Sequence, residues 1–99
     1  MAVNAKRFEW DTAKAAQNAL KHGVTFEEAR TVFSDGLAGI AADPDHSSID
    51  ECRELIAGQS DRCRLLLVSF LERGDVVRII SARLLTRRER RLYEEEKFP

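Results

Sequence analysis

An α+β domain, helices first and an antiparallel sheet after, is predicted by three observations on this 99-residue chain. Apolar residues recur at helical spacing as far as residue 34, then collect into strand-like runs from residue 37 onward. A capping signal at Thr86 opens a last helix almost directly after a strand. The predicted order is β-α-α-β-β-β-β-α in one domain spanning residues 1–99.

Each element has a local reason. "KRFEW", residues 6–10, is a short strand stopped by Asp11, a good helix N-cap. Residues 12–22 form an alanine-rich helix with Ala13, Ala16 and Leu20 on its apolar face, closed by Lys21, His22 and the left-handed position at Gly23. Thr25 starts a second helix in a capping box with Glu28, and Phe26, Ala29 and Phe33 make its stripe before "SDG" ends it. Strands follow at 37–43, 53–57, 63–72 and 76–84, the last three joined by hairpin-like "GQSDR" and "RGD". The two long strands are almost continuously apolar, as strands covered on both faces are, and the two helices are the available cover. The last helix, from Thr86 with a capping box to Glu89, has only Leu92, Tyr93 and Phe98 as apolar content, so it is loosely docked, extended or partner-stabilised.

The net charge of -1 hides a strong asymmetry. Residues 62–91 hold 9 basic residues, all Arg, against 3 acidic ones, while residues 1–61 hold 6 against 11. Such a segment suits a nucleic acid or another anionic partner, and Arg binds phosphate with paired hydrogen bonds where Lys cannot. The plainer reading is a solvated helix face with Arg90–Glu94 and Arg91–Glu95 pairs. The longest apolar run, "LLLVSFL", is too short to span a membrane, and the opening residues lack an apolar signal core, so a cytosolic protein is expected. Cys52 and Cys63 fit that compartment: a turn near "GQSD" sets residue 57 opposite 63 and Cys52 near 68, too far for a disulfide. No Cys-x-x-Cys or His-Cys cluster has metal spacing, so neither metal nor cofactor is expected.

Strand alternation supplies the candidate site. Arg64 shares a face with Leu66, Val68 and Phe70, while Ser81 and Arg83 share one with Val77 and Ile79, and Arg78 lies opposite with Val76, Ile80 and Ala82. A hairpin turning on Gly74 sets Arg64 beside Arg83, to within one residue of register. Two adjacent guanidinium groups repel unless an anion lies between them; the competing reading is that each pairs with a nearby carboxylate. His46, in "DPDHSS", sits on a polar loop where an imidazole can exchange protons with substrate. Ser81 lacks the His and acid of a nucleophilic triad, and Tyr93 either stacks on a base or anchors its helix.

"FEWD", "NALKHGVTFEEA", "DPDHS" and "RIISARLLTRRERRLYEE", in this order and spacing, resemble the BrnT family of type II toxin-antitoxin toxins over nearly the whole chain. The resemblance implies a RelE-like fold, ribonuclease activity that inhibits translation, and neutralisation by a DNA-binding BrnA-like antitoxin in a hetero-oligomer that reaches operator DNA only through the antitoxin. The reaction so implied needs no metal: the RNA 2′-OH attacks the adjacent phosphorus, and the protein supplies positive charge, a base and an acid. Arg64, Arg83 and His46 are the expected catalytic residues; Arg78, Ser81, Lys21 and His22 are expected to bind substrate, with His22 and Lys21 as alternative acid/base groups. Arg87, Arg88, Arg91 and Tyr93 are assigned to docking of antitoxin or RNA. A DNA-binding repressor subunit is the rival class, disfavoured because the basic helix follows a strand and not a helix-turn. A non-enzymatic receiver of an acidic partner is the third.

Overall fold

The computed structural model describes residues 7–43 and 52–95. Its order is β1 (Arg7–Glu9), α1 (Thr12–His22), α2 (Phe26–Thr31), a short 3-10 helix (Val32–Ser34), β2 (Gly39–Ala42), β3 (Glu54–Gln59), β4 (Leu65–Arg73), β5 (Val76–Leu84) and α3 (Arg87–Glu94). The five strands form one sheet in the order β1-β5-β4-β3-β2, an antiparallel meander to which β1 adds in parallel beside β5.

Capping fixes both N-terminal helices. The Asp11 side chain accepts from the Lys14 amide at 3.0 Å, and Gly23 closes α1 at φ 68°, donating to Ala19 O. Thr25 Oγ1 accepts from the Glu28 amide at 3.1 Å, so α2 has half of its expected capping box. The other half is missing because the Glu28 carboxylate turns away to Arg64 and Ser60. The α1 face is also rotated from expectation. Ala15, Asn18, Ala19 and His22 turn toward the sheet, while Ala13 and Ala16 are exposed and Leu20 is 89% exposed. A polar residue, Asn18, decides this rotation: its side-chain amide donates to Val24 O and Ala82 O and accepts from the Ala82 amide.

One sheet face, with Val77, Ile79, Ala82, Leu66, Val68, Phe70 and Ile56, packs under α1 and α2. Phe33 is its centre, edge-on to Phe8 at 5.2 Å and to Phe70 at 5.0 Å. Burial of such side chains contributes about 1.5–3 kcal/mol each. The other face is less covered than the apolar strands suggest, although Leu67, Ser69 and Leu71 are buried on it.

Two registers differ from the sequence reading. Between β3 and β4 the pairing is Ala57 with Leu67, not 57 with 63, because residues 60–64 make a longer connection in which Cys63 adopts φ 60° and Ser60 donates to Arg64 O. Cys52 and Cys63 are free and exposed. Between β4 and β5 the turn is Gly74-Asp75, with Gly74 at φ 61° and Arg73 paired to Val76. A bulge then leaves Ile80 unpaired between Phe70–Ile79 and Ser69–Ser81. Arg83 therefore pairs with Leu67, three residues beyond Arg64, and the two arginines lie on opposite faces of the sheet.

Gly58 is a close-packed point where β3 meets the 3-10 helix. A Cβ there would lie 2.9 Å from Ala38 Cβ and 3.0 Å from both Val32 Cγ1 and Asp35 Oδ2. Gly58→Ala is expected to lower stability by about 1–3 kcal/mol through overpacking, measured by urea unfolding.

Candidate functional site

The bulge at Ile80 puts Ser81 and Arg83 on the sheet face away from α1 and α2. There, strand pairing lines up Ala41, Leu55, Ser69 and Ser81 across four strands, with Gly39, Ala57, Leu67 and Arg83 in the next row. A groove of about 360 Å³ lies over these rows, lined also by His22 from the end of α1 and by Asp43 and Arg53 flanking the β2–β3 connection. A second depression, lined by Lys14, Gln17 and Lys21, shares His22, Arg53 and Ser81 with the first. The two adjoin at these shared residues, beside the outer edge of β5. That edge is available because β1 pairs only with Val76–Arg78, and beyond it Asn18 alone bonds the Ala82 backbone.

Three arginines, Arg64 just before β4 and Arg78 and Arg83 on β5, are each matched to a glutamate. Arg64 Nε donates to Glu28 Oε2 at 2.9 Å, and its Nη2 donates to Glu28 Oε1 and to Gly23 O. Ser60 Oγ donates to the same carboxylate at 2.7 Å. Glu28 is buried, and the Arg64 hydrogen bonds hold its carboxyl below the usual range against the opposing effect of burial. Arg78 Nη1 donates to Glu9 Oε2 at 2.6 Å, a contact that follows from the Glu9–Arg78 register of β1 and β5. Arg83 Nη1 and Nη2 donate to Glu89 Oε1 and Oε2 at 2.7 and 2.9 Å. Glu89 also accepts from the Thr86 amide, completing the α3 capping box. Arg83 first, then the Thr86 amide, holds the Glu89 carboxyl at about 2, against burial, which raises it.

These pairings replace the expected anion site between Arg64 and Arg83. Each guanidinium found a carboxylate because the register moved them apart and helices brought Glu28 and Glu89 to them. The remaining expected residues separate into groups. Arg83, Ser81 and His22 line the main groove, with Lys21 in the adjoining depression. Arg78 faces a separate hollow beside Glu9 and Leu71. His46 lies outside the described residues. Tyr93 anchors α3, its Oη donating to Asp35 Oδ2 at 3.3 Å, and burial together with the Asp35 charge raises its pKa. Arg87, Arg88, Arg90 and Arg91 have no carboxylate partner among the described residues, so the Arg90–Glu94 and Arg91–Glu95 pairs do not form.

Six polar groove residues escaped the sequence reading: Lys14, Gln17, Asn18, Arg53, Asp43 and Ser69. Asn18 carries a signal, since it precedes His22 by one helical turn and shares its face. Ser69, the one hydroxyl inside "LLLVSFL", carries another. Arg53 and Asp43 carry none. Among the described residues no group of three or more His, Cys, Asp or Glu is placed to hold a metal ion, and no helix is long and apolar enough to cross a membrane.

The fold matches that of a small toxin domain of known structure, the Brucella abortus ribonuclease toxin BrnT. That crystal structure superposes with a TM-score of 0.59 at 23% identity, covering 82% of this chain and 97% of that one. The family model described as "Ribonuclease toxin, BrnT, of type II toxin-antitoxin system" matches residues 10–89, and the chain belongs to that family. No curated protein matches.

The Arg83–Glu89 pair carries a pH signature. A depressed carboxyl contributes stability above its unfolded value of 4.5, and loses it as pH falls toward about 2. Because Arg83 is partly exposed, solvent screening reduces the contribution to about 1–2 kcal/mol. Glu89→Gln is therefore expected to lower stability at pH 7 by about that amount and to flatten the acid limb below pH 4.5, seen in urea unfolding across pH.

Proposed function

We propose that the groove over Ser69, Ser81 and Arg83 is where this ribonuclease toxin cleaves RNA. The observation that supports the reading most is the convergence there of a guanidinium, two hydroxyls and an imidazole on strands and a helix end fixed by hydrogen bonds. Arg83 uses three of its N–H donors on Glu89 and Leu84 O, which leaves two of the five in a guanidinium for a phosphate. Glu89 thus orients Arg83 without consuming it.

RNA brings its own nucleophile. In the proposed reaction the 2′-oxygen bonds to the adjacent phosphorus, its proton passes to a base, the bond from phosphorus to the 5′-oxygen breaks, and that oxygen takes a proton from an acid. The products are a 2′,3′-cyclic phosphate and a 5′-hydroxyl. Arg83 meets the charge that builds on the phosphoryl oxygens. His22 is the proton-transfer group within the groove, and His46 is a second candidate from outside the described residues. Lys21 and Lys14 hold flanking phosphates, and Ser69 and Ser81 hydrogen-bond the substrate. Arg64 faces away from this groove, and its proposed role becomes that of a clamp between α2 and the β3–β4 connection.

A toxin of a type II system works opposite a protein antitoxin. The partner proposed here is a BrnA-like, DNA-binding antitoxin, which would carry the pair to operator DNA as a hetero-oligomer in the cytoplasm.

Purified chain incubated with RNA in excess EDTA is expected to leave cyclic-phosphate ends. Arg83→Ala should slow cleavage by about 10²–10³ and His22→Ala by about 10²–10⁴, each with a retained unfolding midpoint within a few degrees. Wild-type rates in both variants would remove the groove from consideration, and dependence on added divalent ions would remove the metal-free route.

A further inference from the structure

We propose that a second cleft, at the junction of β4, β5 and α3, receives an acidic protein segment bearing leucine-like side chains. Arg64, Arg87 and Arg90 rim this cleft, and Leu65, Leu84 and Leu85 form its walls. It is separate from the RNA groove, so the two readings fail independently.

Three observations select this occupant. The first is unspent charge. Arg87 and Arg90 have no carboxylate partner among the described residues, and Arg64 engages Glu28 and Gly23 O through Nε and Nη2, leaving the donors of Nη1 open. The second is unspent apolar surface. Leu84 is 45% exposed although it ends a strand whose other large apolar residues are buried or half-buried, and it stands among those arginines. The third concerns which anion fits. Single-stranded nucleic acid usually gains affinity by stacking bases on aromatic rings, and this cleft has none in its lining. A phosphate chain would satisfy the arginines and leave the leucines wet. A peptide that alternates carboxylate and aliphatic side chains satisfies both, and Arg-rimmed apolar patches are typical of protein interfaces.

The state of α3 favours such an occupant energetically. None of its residues is buried, and it is held by the Glu89–Arg83 pair and by Tyr93 at its two ends. A segment seated between α3 and the β4–β5 end would add the apolar contact that this helix lacks on its own sheet.

The test uses the full chain and three probes: a short peptide alternating Glu and Leu, one of the same charge alternating Glu and Ser, and a 2′-O-methylated oligouridylate. The Glu-Leu peptide is expected to bind and to shift the amide resonances of Leu84, Leu85, Arg87 and Arg90. The Glu-Ser peptide should bind about tenfold more weakly, since only the charged half of the recognition remains. The pair Arg87→Glu and Arg90→Glu, and separately Leu84→Asn, should each weaken the Glu-Leu peptide by about tenfold or more with an unchanged unfolding midpoint. Equal binding of the Glu-Ser peptide would reduce the cleft to a non-selective charge patch and overturn the proposal. So would tighter binding of the oligouridylate at the same amides, which would make the cleft part of the RNA path, or failure of the Glu-Leu peptide to bind.

Discussion

The chemistry of the open face depends on a single unpaired residue in the longest hairpin. Ile80 sits between the Ile79–Phe70 and Ser81–Ser69 pairs, and adding one residue to one strand exchanges the two faces from that point onward. Before it, Val77 and Ile79 point into the helix-covered core; after it, Ala82 does. Ser81 and Arg83 are consequently turned outward over the groove. Without the bulge, strict alternation would place them on the same side as Val77 and Ile79, with Arg83 on the helix-covered face opposite Leu66. The bulge also lies just beyond the last residue of β5 that β1 pairs, where the strand has a free edge to bend along.

Asn18 completes that device from the other side. A free edge beside a core leaves a backbone donor and acceptor unpaired, and burying such groups costs about 1–3 kcal/mol each. The Asn18 amide meets both at Ala82, and its second N–H bond to Val24 O ties the end of α1 to the same point. One turn later in the helix, His22 is delivered to the groove. The rotation of α1 that leaves Leu20 in solvent is the consequence: three hydrogen bonds in a buried place outweigh the exposure of one leucine.

The order of elements and their boundaries were legible because they rest on local signals: Asp11, Thr25 and Thr86 as caps, Gly23 as a stop, and the change of period after residue 34. What was not legible was relational. The Gly74-Asp75 turn could be seen as a turn, but its effect on register combined with a bulge that no residue type announces. The Thr25–Glu28 spacing reads as a full capping box, yet the carboxylate serves Arg64, thirty-six positions away in sequence. Likewise Glu89 reads as a helix cap and is that, while also binding Arg83. Local patterns report which groups are available; the partner that wins is decided by the tertiary register.

That competition sorts seven of the nine arginines of the 62–91 segment into two physical kinds. Arg64, Arg78 and Arg83 project from strands or their ends, and each is paired with a glutamate from another element. Glu28 is buried, so the Arg64–Glu28 pair is a condition of the packing there, whereas the Arg78 and Arg83 pairs are partly solvated and contribute modestly. The α3 arginines face water, which already stabilises their charge, and nothing in the fold requires them to be paired. Removing Glu28 would leave Arg64 with a buried half and no counter-charge; removing Arg88 or Arg91 would leave the fold as it was. Positive charge that contributes nothing to the fold, kept on a helix with no buried residue, remains free to attract an anion from outside. The same charge on the strands can act on an anion only through the donors that its glutamate leaves over.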